Sequence, residues 1–525
     1  MNVLLATGNG FRCDGGRMKP TPAVTTAVFL GLAASLSAEV RLPPVFSSHM
    51  VLQRDKTVPV WGQADAGEKV AVSIGGQTQE TTAGTDGKWM VKLAPMPANA
   101  VPQTLEVRGG NKIELTDVLI GEVWLGSGQS NMEWPVKAAV NGAAETETAK
   151  FPTIRLLNVP KTTVSQPVTT LNAAWTECTP QTAAGFSAVL FFMGRELNRE
   201  LNVPVGLINS SWGGSRIEPW TPLEGFALVP SQRDNVRAIR ATIPGTGEYN
   251  NSMSAWLGNV EQWARDARAG LQKNQPVPAI PEQPGPPPQG SQGLVGLYNG
   301  MIHPLVPYAI RGAVWYQGES NNGEGMGYLD RKKALIGGWR QVWGQGDFPF
   351  YTVQLAPYNY GNGRENTSLA EIWEAQNATL TEIPNTGLVV TNDISNLADI
   401  HPTNKQEVGR RLALTALAKE YGRANLVYSG PLFAGKAVEG GKIRVKFSHT
   451  GSGLASRDGK PLDWFEIAGE DGKFVPAEAV IDGTDVMVSS AQVPQPVKVR
   501  LAWSQLGTPN LMNKEGLPAS AFRSL

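Results

Sequence analysis

The period of the apolar positions changes twice along this chain. Between residues 39 and 116 they come in short runs, such as Val51-Leu52-Gln53 and Val58-Pro59-Val60-Trp61-Gly62, cut by Gly, Asp and Pro. Runs of that length broken by turn residues predict a small antiparallel β unit. From residue 117 to about 425, apolar runs that read as buried strands alternate with segments of helical period. Residues 118–125, 154–159, 203–209, 313–316, 348–353 and 386–391 predict strands. Residues 188–197 and 404–421 predict helices, the second opened by a Thr403-x-x-Gln406 capping box and stopped by Gly422. Alternating strand and helix implies an α/β domain: a largely parallel sheet covered by helices, with reactive groups in the loops after the strands. Short β runs return over 426–525, among them Lys442-Ile443-Arg444-Val445-Lys446-Phe447 and Asp485-Val486-Met487-Val488.

Two segments stand apart from this rhythm. Residues 221–293 read as an insertion into the α/β domain, with a helix-like run at 253–263 and then an extended Pro/Gln/Gly-rich loop over 276–293. Such an insertion either roofs a cleft or decorates the surface. At the N-terminus, Arg17-Met18-Lys19 precedes an apolar stretch over 23–34 and the small residues Ser35, Ser37 and Ala38. This is the layout of a secretory signal, too short for a membrane span, with cleavage expected near Ala38. Residues 1–17 form a leader with no pattern of its own, and Met18 is an alternative start. A secreted or periplasmic location is the expectation.

Composition narrows the function by exclusion. The 46 basic and 46 acidic residues cancel, which removes any electrostatic case for nucleic acid or an anionic membrane as partner. Only Cys13 and Cys178 occur, the first upstream of the expected cleavage point, so the mature chain has no internal disulfide. No Cys/His spacing suits zinc. The 15 tryptophans suit sugar-contacting clefts and ordinary cores alike.

The candidate chemistry sits in Gly126-Ser127-Gly128-Gln129-Ser130-Asn131-Met132-Glu133-Trp134, directly after an apolar strand. Gly-x-Gly-x-Ser after a strand puts a hydroxyl on a tight turn, facing free N–H groups if a helix begins there. A hydroxyl so placed can attack a carbonyl while backbone amides hold the oxyanion. Such a serine needs a base. Of the four histidines, His401 lies in a loop between a strand and a helix, whereas His303 precedes a strand, on the opposite edge. Asn209-Ser210-Ser211-Trp212-Gly213-Gly214-Ser215 and Gln317-Gly318-Glu319-Ser320-Asn321 also follow strands. Gly214 offers a bare N–H and Gln317 an amide. Four polar loops following strands of one sheet form a far more specific signal than any one of them. An α/β-hydrolase elbow is disfavoured, because Met132 stands where G-x-S-x-G requires glycine.

These motifs, G-S-G-Q-S-N-M-E-W, S-S-W-G-G-S, W-Y-Q-G-E-S-N and D-I-H-P-T-N-K, resemble in kind and order those of sialate O-acetylesterases and related carbohydrate acetylesterases of the SGNH hydrolase superfamily. V-F-S-S-H-M-V-L-Q-R-D and N-K-E-G-L-P-A-S-A-F-R resemble that family's flanking β segments. The resemblance implies a three-layer α/β/α domain with β-sandwich-like units at both ends, at 39–116, 117–425 and 426–525. It also implies Ser130 as nucleophile, His401 as base, and the Ser130 and Gly214 amides with Gln317 as oxyanion donors. Gln317 stands where the wider superfamily carries asparagine. The superfamily's acid lies three residues before the histidine, which is Ala398 here. Asp399, two before, is the subfamily's counterpart, with Asp393, Glu319 or a backbone carbonyl as alternative partners for the imidazole. Arg216, Glu319, Asn321, Trp134, Trp212 and Trp315 border these loops as candidate substrate contacts, Arg216 for a sialate carboxylate. The implied substrate is an acetylated sugar or polysaccharide such as xyloglucan or xylan, with no metal or organic cofactor. A non-catalytic sugar-binding protein on a degenerate core, or a lipid or peptide esterase, are the competing classes.

Overall fold

In the computed structural model, residues 39–524 are described except for 285–289 and 291; the signal-like leader lies outside them. The architecture is set by one long strand, Lys112–Gly128. Its first third alternates exposed and half-buried positions, and from Val118 onward every residue is buried. The alternating part pairs antiparallel with Asn99–Arg108, and the continuous apolar part pairs in parallel on both sides. A strand inside a parallel sheet is covered on both faces and so needs a near-continuous apolar run; the one charge in it, Glu122, is paired with Arg54 and Arg311. The position placed between 116 and 117 as a domain boundary therefore falls within a single strand. Residues Glu39 to Leu525 form one compact unit.

The central sheet runs Thr386–Val389, Phe350–Val353, Gly312–Tyr316, Lys112–Gly128, Val205–Ser211, Phe151–Asn158 and Thr176–Cys178, all parallel except the last. Strand order reverses on either side of Lys112–Gly128, which puts a crevice beyond its C-terminal end. The flanking helices lie on opposite faces. A Cβ on Gly126 would meet the Leu190 side chain of helix Ala188–Leu201. Trp315, level with the next residue Ser127, packs instead against Trp339 of helix Gly327–Trp343. Successive strand residues point to opposite faces, so the three-layer α/β/α arrangement follows. Helix Lys405–Lys419 crosses Ala188–Leu201 closely at Gly409, where a Cβ would stand 2.6 Å from that of Phe192.

The structure corrects two details. The N-cap of the last helix is Asn404, whose side chain accepts from the Glu407 N–H at 3.1 Å; Thr403 is not the cap, and Gln406 turns to the Val140 carbonyl. In the insertion the helix is longer than its apolar run, spanning Gly247–Gln272. In the proline-rich loop that follows, the Pro281 and Pro278 carbonyls accept from Trp256 and Trp263 of this helix at 3.1 and 2.9 Å. At the C-terminal end, two four-stranded antiparallel sheets and a two-stranded one, Leu454–Ser456 with Leu511–Asn513, form the second β unit. Its tail docks on helix Ser368–Glu382 through Asn377 donating to the Ala521 carbonyl and an Arg523–Glu374 ion pair. Among the described residues no helix is long and apolar enough to cross a membrane.

Candidate active site

Gly128 pairs with Ser211 on one side and Tyr316 on the other, so three strands end at one level. The loops starting at Gln129, Trp212 and Gln317 therefore leave the sheet side by side. Gly128 has φ +135°, and a Cβ there would lie 2.2 Å from the Tyr316 carbonyl oxygen, so only glycine brings the chain through this gap. Gln129 then starts the short helix Ser130–Glu133, its carbonyl accepting from Met132 and Glu133. The Ser130 N–H, at the first helical position, has no intrahelical acceptor.

His401 arrives from the loop between strand Thr386–Val389 and helix Lys405–Lys419. Its Nε2 lies 2.8 Å from Ser130 Oγ, within the reach a general base needs. Trp134 lies flat on the imidazole, ring centroids 5.1 Å apart and planes inclined by 18°. Burial lowers the His401 pKa below its ordinary value; the Asp399 charge opposes this and Lys405 adds to it.

Of the proposed partners for the imidazole, Asp399 is the one beside it. Its Oδ1 stands 3.5 Å from His401 Nδ1 and accepts from the His401 backbone N–H at 2.9 Å. That Nδ1 separation is too long for a good hydrogen bond, and the Asp399 side chain is half exposed. Asp393 is committed to Arg411, which donates to both its oxygens at 2.7 and 2.6 Å. Glu319 accepts from Asn131 at 2.7 Å.

Gly214, exposed and at φ +73°, has open space where a Cβ would be. Its carbonyl accepts from Ser320 Oγ at 3.0 Å and Gln292 Nε2 at 2.5 Å, which fixes the peptide that follows it. Gln317 does not present its amide to the crevice. It is fully buried, donates to the Ser215 carbonyl and Asn321 Oδ1 at 3.1 and 2.8 Å, and accepts from Tyr328 at 2.8 Å. Both of its N–H groups are used inside the protein, so in this arrangement it braces the loops and has no donor left for an oxyanion.

The candidate substrate contacts divide in the same way. Trp212 is half-buried under the Lys161 ammonium, 5.8 Å from its ring centroid. Trp134 is partly exposed and donates to the Ala138 carbonyl, whereas Trp315 is fully buried between Trp220 and Trp339 and is a core residue. Asn321 is fully buried, its oxygen accepting from the Ile217 N–H and its amide donating to Glu218. Arg216 is paired with Glu218 and Glu324, so its charge is already matched.

Three residues escaped the sequence reading. Glu133 accepts from the Gly213 N–H at 2.7 Å and pairs with Lys161 at 2.5 Å, tying the Ser130 and Gly214 loops together. Asn131 and Lys405 are buried beside the serine, with Lys405 donating to Asn131 Oδ1 at 2.5 Å. All three lie inside the quoted motifs, and the only available signal was a lysine and a carboxylate within otherwise functional strings.

Among the described residues, His49, Asp117 and Glu177 bring potential metal-ligand atoms within 4.8 Å of one another. The Arg155 guanidinium occupies that space, 3.0 Å from Asp117, 3.1 Å from His49 and 3.6 Å from Glu177. A cation is thus already supplied by the chain.

A serine and histidine in contact beyond the C-terminal edge of a parallel sheet in a three-layer α/β/α fold form a pair of the kind used for acyl transfer. Comparison makes the class specific. Residues 120–283 and 292–418 match the family model described as carbohydrate esterase, sialic acid-specific acetylesterase. The chain is 32% identical over 433 residues to the sialate O-acetylesterase of Rattus norvegicus, covering 75% of this chain and 76% of that one. It is 31% identical over 430 residues to that of Homo sapiens, covering 75% and 73%. A solved carbohydrate acetylesterase from Xanthomonas citri superimposes with TM-score 0.78 at 36% identity, over 93% of this chain and all of that one. The chain belongs to the sialic acid-specific acetylesterase family of carbohydrate esterases, and it is an esterase.

Proposed function

We propose that this protein removes acetyl groups from the hydroxyls of a carbohydrate through an acetyl-enzyme formed on Ser130. As Oγ attacks the acetyl carbonyl carbon, its proton passes to His401 Nε2. The negative carbonyl oxygen is received by the Ser130 and Gly214 N–H groups. The C–O bond to the sugar then breaks, and His401 returns the proton to the departing sugar oxygen. Water, deprotonated by the same nitrogen, attacks the acetyl-serine; acetate leaves and Oγ is reprotonated. The observation that carries this reading is the 2.8 Å contact between His401 Nε2 and Ser130 Oγ. Ser130→Ala is expected to abolish release of p-nitrophenol from its acetate ester, and activity within tenfold of the unsubstituted enzyme would place the nucleophile elsewhere. An intact pair of this geometry argues against a purely sugar-binding role. A lipid esterase would retain turnover on longer acyl esters, whereas an acetylesterase drops steeply from acetate to butyrate.

The charges on these loops favour a neutral acetylated sugar or polysaccharide over sialate. Recognition of a sialate carboxylate calls for a cation with charge to spare, yet Arg216 is paired with two glutamates and Lys161 with Glu133. Acetate release measured side by side on acetylated xylan, acetylated xyloglucan and an O-acetyl sialoside tests this. Faster turnover of the sialoside would reverse it. The apolar stretch before Ala38 supports export, with a mature chain beginning at Glu39; N-terminal sequencing of the protein recovered from its host tests that.

A further inference from the structure

Asn131, the residue after the serine, holds three loops of the site at once. Its amide nitrogen donates to Glu319 Oε1 at 2.7 Å and to the Ile400 carbonyl at 3.0 Å. Its oxygen accepts from Lys405 Nζ at 2.5 Å. Asn131 is 1% exposed and Lys405 0%, so water does not substitute for these bonds. Glu319 belongs to the turn after strand Gly312–Tyr316 and Lys405 is the first residue of helix Lys405–Lys419. Ile400 is joined through its own carbonyl carbon to His401. One side chain thus fixes the peptide that carries the imidazole, while its own backbone carries the hydroxyl.

We propose that Asn131, clamped between Lys405 and Glu319, is the positioning residue for the Ser130–His401 pair. The proposal rests on the reading of those two residues as nucleophile and base. A carboxylate under the imidazole ordinarily fixes that ring. Here Asp399 is half exposed and 3.5 Å away, which leaves the task to the peptide behind the ring. An asparagine is required because its partners are a carboxylate, a carbonyl and an ammonium group, which together need two donors and one acceptor from a single short side chain. Aspartate would repel Glu319 and lose the bond to Ile400. A drift of about 1 Å in the 400–401 peptide suffices to cost on the order of 10²-fold in rate.

Lys405 also adds a charge. Burial brings its pKa down to about 7, with Glu319 and Asp399 acting in the opposite direction. The ring contact with Tyr316, 5.1 Å from the ammonium to the centroid, completes its surroundings. The charged groups that act on His401 are Asp399, which raises its pKa, and Lys405, which lowers it. Below the ordinary histidine range Lys405 is protonated, so its removal moves the His401 titration upward.

The test is steady-state hydrolysis of p-nitrophenyl acetate by the full chain, with the melting temperature of each variant recorded. Asn131→Ala is expected to lower kcat at least 30-fold with KM within threefold. Glu319→Gln, which keeps the oxygen that accepts from Asn131, is expected to retain at least tenfold more kcat than Glu319→Ala. Lys405→Met is expected to move the acidic limb of kcat/KM to higher pH, an effect that a purely structural lysine would not have. An Asn131→Ala kcat within threefold of the parent overturns the proposal. Equal losses for the two Glu319 variants, or an unmoved limb, do the same and decide the matter if Asn131→Ala does not fold. Ser130→Ala run in parallel separates the cases: residual activity there removes the nucleophile itself, whereas a dead Ser130→Ala beside an active Asn131→Ala removes only this proposal.

Discussion

Trp134 lies against the face of the His401 imidazole at 5.1 Å and 18°, and its indole N–H is anchored on the Ala138 carbonyl at 2.9 Å. The tryptophan follows the serine by four residues, so the turn that places the nucleophile also places a wall for the base. Such a ring pair is worth about 0.5–1.5 kcal/mol, up to roughly tenfold in rate if felt only in the transition state. Trp134→Ala is expected to lower kcat about tenfold, and Trp134→Phe to recover most of it. A change confined to KM on sugar substrates would reassign the ring to substrate stacking.

Asp399 is expected to matter less than a buried triad carboxylate. Asp399→Asn is predicted to reduce kcat by about tenfold, far short of the ~10⁴-fold loss that follows when a buried orienting aspartate is changed. Its sign on pH is also fixed. The carboxylate raises the His401 pKa, so removing it moves the acidic limb of kcat/KM to lower pH. In the unsubstituted enzyme that limb is expected below the ordinary histidine value of 6.5, because burial already depresses the ring. A pH–rate profile of the two proteins checks both points.

Gln317→Ala is expected to act on stability first. It would take the side-chain donor from the buried Ser215 carbonyl and one of two donors from Asn321 Oδ1, which keeps the Ile217 N–H, while the Tyr328 hydroxyl keeps the Gln317 backbone carbonyl. A buried carbonyl left unsatisfied costs about 1–3 kcal/mol. The melting temperature should fall clearly. A kcat loss of 10²–10³ with an unchanged melting temperature would restore Gln317 as an oxyanion donor.

Lys332 offers a prediction away from the site. It is fully buried on helix Gly327–Trp343, its ammonium on the Thr352 hydroxyl and 5.8 Å from the Phe350 ring centroid. Burial pushes its pKa down to about 7 from 10.5. The unfolded chain therefore binds an extra proton between those values, and this group's contribution to stability rises with pH across that window. Lys332→Met is expected to raise the melting temperature near neutral pH and to flatten its rise toward alkaline pH, as measured by calorimetry.

Much of the site was legible because its chemistry is local. Gly128-Gln129-Ser130 needs a positive φ and a helix start within three residues, and the loop residues Gly214 and His401 follow strands whose apolar runs are unmistakable. The capping of the last helix was misplaced by one residue because Thr403 and Asn404 are both competent caps, and backbone geometry chose between them. Gln317 is a different case. An amide after a strand looks available until the neighbours that consume its hydrogen bonds are known: Ser215 is remote in sequence, and Asn321, four residues on, does not reveal from sequence that it turns back to the amide.

What the amino-acid sequence determined by itself was the inventory: which serine and histidine can react, which glycines admit tight turns, and where strands give way to helices. These follow from side-chain chemistry and the 2.0 and 3.6 periods of the backbone. What only the tertiary structure decided was pairing. The parallel register that levels Gly128 with Ser211 and Tyr316, the pairing of Arg216 with Glu324, and the hold of Asn131 on Ile400 all join residues far apart in the chain. Hydrogen bonds and ion pairs are satisfied by whatever the fold brings within about 3 Å, and sequence distance does not encode that.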